Sequence, residues 1–271
     1  MKSVLLIYRH PRFSPNSVEK DRAILSAVAG RLRKLGVSLR ETVEEDGGNW
    51  EFAPCKPTDC ILTMGRLPET LEWLRWQQCL VINRPEAVAR CSRMVVSSLM
   101  SLHHIPAPSL EGTHGYWLKR GDACAQQPGD VVFCRDRSEL ERQQAVFRQR
   151  GIDHYVVSAH EEGDLVKFYG VRHTPFFRCF YPTDDGESKF GDEQHNGQSH
   201  HYDFSLDNLH GDATRLAEAI GIDVYGGDCI VRPDGTYCII DFNDWPSFSR
   251  CRDEAAEAVI TLIKSKYGQE F

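Results

Sequence analysis

Asp228, Asp241 and Asn243 sit on either side of a short turn in the stretch GGDCIVRPDGTYCIIDFNDWPSF, residues 226–248. Pro233-Asp234-Gly235 is a hairpin turn signal, so the two flanking apolar runs are predicted to be adjacent antiparallel strands. Side chains two apart on a strand share a face, which points Asp241 and Asn243 the same way. Asp228 reaches them from the neighbouring strand if the register sets it opposite. Two carboxylates and an amide oxygen form a hard-oxygen set suited to Mg²⁺, which keeps waters and takes further ligands from phosphate. With no soft ligand in the set, zinc is disfavoured. A single Asp at a strand end is ordinarily a solvated residue that hydrogen-bonds a turn. Three such donors on one hairpin, running into Trp245-Pro246, shift the balance towards a site.

The elements that must carry this hairpin are legible in outline. Val4–Tyr8 reads as a buried strand, and Asn16 followed by Glu19 predicts the cap of a helix with Leu25, Val28, Leu32 and Leu35 on one face and Gly36 at its end. Asp59–Gly65 and the CLVIN stretch read as further strands, separated by a helix over Glu69–Gln77. Strands alternating with helices of this length predict a parallel, Rossmann-like sheet over residues 1–84. From Pro85 a helical stretch leads to the linker IPAPSL, whose prolines stop any regular element. A second unit to about residue 154 holds GYWLKRGD, a loop, DVVFCRD and a helix opened by a Ser138–Glu141 box and closed by Gly151; HYVVSAH then leads out of it as a strand. The remainder, 155–271, is mainly strand-like, with a short helix around Asp212–Ile220 and a final helix burying Ala256, Val259, Ile260 and Ile263.

With 271 residues the chain can bury a sizeable core in two or three modules. Its formal net charge of -7 argues against a protein that coats nucleic acid or an anionic membrane. The opening MKSVLLIYRHP has too short an apolar run for a secretory segment, and no run approaches a membrane span. The ten cysteines form no CxxC pair and several lie in apolar runs, as small hydrophobes do, which predicts a reducing, cytoplasmic setting.

The order of these motifs resembles the ATP-grasp enzymes. The pattern G-D-x-I-V, D-G, I-I-D-x-N, P is similar to their C-terminal metal-binding hairpin, and NRPEAVARCSRMVVSSLMSLHHIPAPS to the segment by which they enter the ATP-binding region. The resemblance implies an ATP-grasp fold of mixed α/β and α+β character behind an N-terminal Rossmann-like domain, with ATP and Mg²⁺ as cofactors. It places Arg93 and Lys119 on nucleotide phosphates, and Val157, Ser158 and His160 along the adenine. It also places Asp164 at the ribose and Arg178 on the transferring phosphate. Physically this is coherent, because moving a phosphoryl group requires cations that stabilise charge in the transition state.

This sequence departs from the family pattern twice. RGDACAQQPGD carries only Gly121 and Gly129, where a denser glycine run often cradles phosphate, and Asp241 stands where many of the ligases use Glu. Three functions therefore stay open: a carboxylate–amine ligase working through an acyl phosphate, which leads; a small-molecule kinase of the inositol-phosphate-kinase type; and a non-catalytic nucleotide-binding module. The acceptor is a small molecule or peptide, neither nucleic acid nor membrane is a partner, and a homo-oligomer stays open. The polar stretch 183–203 with His195, His200 and His201 reads as a lid over the acceptor in preference to a structural metal site, since adjacent His200 and His201 point apart if extended. Arg9, His10, Arg12, Ser14 and Asn16 form a second candidate, at the end of the first strand, competing with a plain turn. Trp73 and Trp76 read as packing, while Trp245 reads either as acceptor lining or as a brace for the hairpin.

Overall fold

The computed structural model describes residues 2–14, 17–46, 58–122, 127–184 and 195–268. Its first part comprises β1 (Ser3–Tyr8), α1 (Val18–Lys34), β2 (Ser38–Val43), β3 (Cys60–Thr63), α2 (Pro68–Arg75) and β4 (Leu80–Ile82). The strands form one parallel sheet in the order β2-β1-β3-β4. Strand periodicity divides β1 between two cores: Val4 and Leu6 pack with Ile24, Leu25 and Val28 of α1, while Leu5 and Ile7 pack with Leu74 of α2. The expected cap residue Asn16 lies outside the described residues; α1 begins after Ser17, and Leu35 at its end is exposed rather than on the buried face.

Two short helices come next, α3 (Pro85–Arg90) and α4 (Arg93–Leu102), with a break at Cys91-Ser92. They lead to β5 (Tyr116–Arg120), β6 (Val131–Cys134), α5 (Arg137–Gln149) and β7 (Tyr155–Ala159), then β8 (Asp164–Val171) and β9 (Phe177–Phe180). The chain ends with α6 (Leu206–Ile220), β10 (Val224–Val231), β11 (Tyr237–Asp244) and α7 (Arg252–Tyr267). Strands β6-β5-β7 form a small antiparallel sheet backed by α5, and β11-β10-β8-β9 a larger antiparallel one.

These pairings redraw the boundaries expected from sequence. β7 bonds to β5, so the larger sheet starts at Asp164 rather than at 155. α3 and α4 contribute Ala87, Val96 and Met100 to the core that α6 makes with one face of the larger sheet, so they pack with the C-terminal unit. α7 buries Ala256, Val259 and Ile263 against α1 and thereby closes the N-terminal core. Two helix starts also move. Asp136, accepting from the Glu139 N–H at 2.8 Å, caps α5 in place of Ser138, and Ser205 caps α6 well before Asp212.

The N-terminal and C-terminal units are stitched by a buried amide. Asn83 accepts the N–H groups of Asp223 and Val224 at 2.9 Å each and donates to the Val224 carbonyl at 2.9 Å. Among the described residues the eight cysteines are free thiols, and no helix is long and apolar enough to cross a membrane.

Candidate functional site

The register of the β10–β11 hairpin sets Asp228 directly opposite Asp241. Beyond that pair the ladder slips, with Cys229 opposite Ile239, so that Ile240 is the extra residue of a β-bulge. The bulge turns Ile240 and Asp241 towards the same side, facing the small sheet, and takes the Ile240 carbonyl out of the ladder. Lys119 Nζ crosses the cleft from β5 and donates to that carbonyl at 3.1 Å. Two glycines make the hairpin this tight. A Cβ on Gly227 would meet the Asp241 carbonyl oxygen at 2.2 Å, and one on Gly226 the Phe168 oxygen at 2.9 Å.

Around the two carboxylates stand three cations. Arg93, at the start of α4, places Nε 3.6 Å from Asp241 Oδ1 and donates through Nη1 to the Arg120 carbonyl at 3.2 Å. Lys167, opposite Asp228 on β8, places Nζ 3.2 Å from Asp228 Oδ1. Lys119 completes the group. Asn243 donates Nδ2 to Asp241 Oδ2 at 3.1 Å. Burial pushes the Asp241 carboxyl up, but Arg93, Lys119, the Asn243 amide and Lys167 together hold it below the usual carboxylate range.

Among the described residues no three His, Cys, Asp or Glu side chains converge as a metal cluster. The hairpin offers two carboxylates facing each other and an amide beside them, with no thiolate or imidazole. That donor set fits Mg²⁺, which takes one or two carboxylates from protein and the rest from phosphate and water. Lys167 is the residue that sequence reading missed. Its alternation with Leu165 and Tyr169 places all three on one face of β8, but only the register with Asp228 shows what it faces.

The other expected nucleotide contacts are distributed unevenly. Ser158 is the register partner of Trp117, on the cleft face with Lys119. Val157 is the partner of Leu118 and packs into the α5-backed core, so its side chain points away from the cleft. His160 meets the cleft face through Trp117, whose Nε1–H it accepts on Nδ1 at 3.1 Å. Burial, with His195 close by, pushes the His160 pKa below that of an ordinary histidine and favours the neutral ring.

Asp164 does not match the ribose role. It lies opposite Val231, two residues before Val166 on the α6 face, and is 2% exposed. Its two oxygens accept the N–H groups of His200 at 2.7 Å and Tyr202 at 2.9 Å, as a buried carboxylate must be satisfied. Arg178 is on the edge strand β9, two strands from β10 and three from β11, and so roughly 10 Å from the near strand of the hairpin and roughly 14 Å from the far one at ordinary strand spacing. Its Nε and Nη2 donate to Glu254 at 2.9 and 2.6 Å, which holds the guanidinium towards α7.

The turn after β1 is joined to the hairpin instead of forming an open anion site. Arg9 is buried, and its Nη2 donates to the carbonyls of Asp244 and Trp245 at 3.3 and 3.2 Å. Arg66 pairs with the Asp244 carboxylate, so β11 is clamped to the N-terminal sheet just past Asn243. His10 and Arg12 pair with Asp46. Trp245 is fully buried and braces the hairpin, whereas Trp76 is exposed and not the packing residue expected. Among the described residues a cavity of about 910 Å³ is lined by Gly112, His160, Glu161, His195, His200 and Arg232, and neither Lys119 nor Asp241 borders it. A volume alone does not locate chemistry; the convergence of charges does.

No protein-family model matches the sequence, and no curated protein does. Solved structures do match. One is a D-alanyl-alanine synthetase A from Vibrio cholerae, with a TM-score of 0.70 at 9% identity, covering 98% of each chain. The VanG D-Ala:D-Ser ligase from Enterococcus faecalis gives 0.67 at 10%, covering 96% of this chain and 99% of that one. A RimK domain ATP-grasp protein from Sphaerobacter thermophilus gives 0.63 at 17%, covering 96% and 98%. Likeness over the full length, joined to two antiparallel sheets facing across a cleft behind a parallel one, identifies the architecture: this chain has the ATP-grasp fold.

Proposed function

We propose that the protein is an ATP- and Mg²⁺-dependent carboxylate–amine ligase. The observation that carries this reading is the facing of Asp228, Asp241 and Asn243 by Arg93, Lys119 and Lys167. The fold likeness supports it, since the similar solved structures include a D-alanyl-alanine synthetase and a D-Ala:D-Ser ligase. The free thiols agree with a reducing, cytoplasmic compartment.

In this reading a carboxylate oxygen of the acceptor attacks the terminal phosphorus of ATP. The bond from phosphorus to the ADP oxygen breaks, leaving an acyl phosphate. The amine nitrogen then attacks the acyl carbon, the carbon–oxygen bond to phosphate breaks, and the nitrogen loses its proton as the amide forms. Arg93 and Lys119 neutralise phosphate oxygens from the small-sheet side, and Lys167 does so from β8. Mg²⁺ held by Asp228, Asp241 and Asn243 would supply further charge neutralisation at the phosphates. Ser158 and His160 border the base, and the Arg9–Asp244–Arg66 clamp holds the hairpin still while charge moves.

A kinase is the second reading, favoured by the shorter carboxylate at Asp241 and by the third cation, Lys167. Incubation with ATP, Mg²⁺ and pooled metabolites separates the readings. ADP, inorganic phosphate and a condensed product establish the ligase; ADP with a phosphorylated acceptor establishes the kinase. Nucleotide binding without ADP formation rejects both and leaves a non-catalytic module.

A further inference from the structure

Trp117 and Phe133 are register partners on the cleft face of the small sheet, with ring centroids 5.3 Å apart. Two imidazoles complete the group. His160 stands at the end of β7 with Nδ1 occupied by the Trp117 N–H, which leaves the proton of the neutral ring on Nε2. His195 comes from the segment between β9 and α6. Its ring lies 4.4 Å from Phe133 with 34° between planes and meets Trp117 edge-on at 5.2 Å.

The chain just after His195 is anchored. Asn196 Nδ2 donates to the carbonyls of Glu161 at 2.9 Å and Gly163 at 3.3 Å, and Asp164 accepts the His200 and Tyr202 N–H groups. Residues 196–202 are thus tied to the hinge between β7 and β8, and the exposed His195 ring beside them packs on Phe133 and Trp117. On the larger sheet Leu165, Ile230, Cys238 and Ile240 form an apolar patch on the face that carries Lys167 and Asp228. Lys119, two residues from Trp117 on the same strand face, reaches that patch at the Ile240 carbonyl. Rings therefore border the cleft at one end and cations at the other.

We propose that His195 is a base-binding residue of the nucleotide site, its imidazole walling the base end of the cleft and stacking against a planar heterocyclic base. The proposal rests on the nucleotide-dependent reading above, and it moves His195 from the acceptor lid expected from sequence to the nucleoside end. Stacking on an aromatic ring contributes affinity because every base has a π-face, and a ring already packed on Phe133 and Trp117 loses little freedom on binding. The phosphate end depends on other residues, so the two ends are separable.

The test is equilibrium binding of MgATP and of magnesium tripolyphosphate to the wild type, His195→Ala and His195→Phe. His195→Ala is expected to weaken MgATP about tenfold and leave tripolyphosphate within about twofold, and His195→Phe to restore MgATP binding. Unchanged MgATP affinity in His195→Ala overturns the proposal. Tighter MgATP binding also overturns it and makes the ring a plug. Equal loss of both ligands overturns it too, as does failure of His195→Phe to restore binding. If the wild type binds neither ligand, the nucleotide-dependent reading itself fails and the proposal falls with it.

Discussion

Lys119 Nζ donates to the Ile240 carbonyl at 3.1 Å, joining the small sheet to the larger one at the bulge that precedes Asp241. A bulge is a device for re-aiming side chains next to active sites, and here it both turns Asp241 into the cleft and frees a carbonyl for a lysine. The cation and the carboxylate are therefore placed by the same irregularity.

Asp241→Ala is expected to reduce ATP turnover at least a hundredfold while leaving the thermal midpoint within a few degrees. The partly exposed carboxylate sits among cations that need no partner when a triphosphate is present. ADP release and a melting curve measure the two effects. Full activity in this variant removes the metal assignment.

Lys167→Met should lower turnover by about a hundredfold, with a smaller change in nucleotide affinity, because it deletes a cation that acts on moving charge. Direct Mn²⁺ titration gives an independent readout. Without the ammonium 3.2 Å away, Asp228 is expected to bind Mn²⁺ more tightly than in the wild type. Weaker Mn²⁺ binding would count against Asp228 as a ligand.

Gly227→Ala should destabilise the fold by about 1–3 kcal/mol, as forced overpacking does, because the added Cβ meets the Asp241 backbone rather than a movable side chain. Urea denaturation checks this. A neutral result would mean that the hairpin is looser than its register.

The lowered pKa of Asp241 has a defined sign. Its carboxyl binds a proton more weakly in the folded chain than in the unfolded one, so its contribution is complete above the ordinary carboxylate range of about 4 and is lost as pH falls through the lowered folded value. Asp241 should thus stay ionised, and its titration should leave Mn²⁺ binding unchanged, between about pH 5 and 8. Arg93→Gln, which removes the principal cation on this group, should move the acid loss of Mn²⁺ binding to higher pH. A titration midpoint that stays put in this variant refutes the Arg93–Asp241 coupling.

The amino-acid sequence by itself determined the hairpin, because Pro233-Asp234-Gly235 fixes a turn and strand periodicity fixes which of Asp241, Phe242 and Asn243 share a face. It determined the N-terminal βαβ alternation for the same reason: both are local patterns. Only the tertiary structure decided what faces the hairpin. Lys167 joins it through the β8–β10 register, Asp164 is turned onto the α6 face by that same register, and Arg178 is drawn to Glu254 by α7. Register and helix docking depend on contacts between residues far apart in the chain, and a one-residue change in pairing exchanges the faces of a strand. Local spacing cannot contain that information.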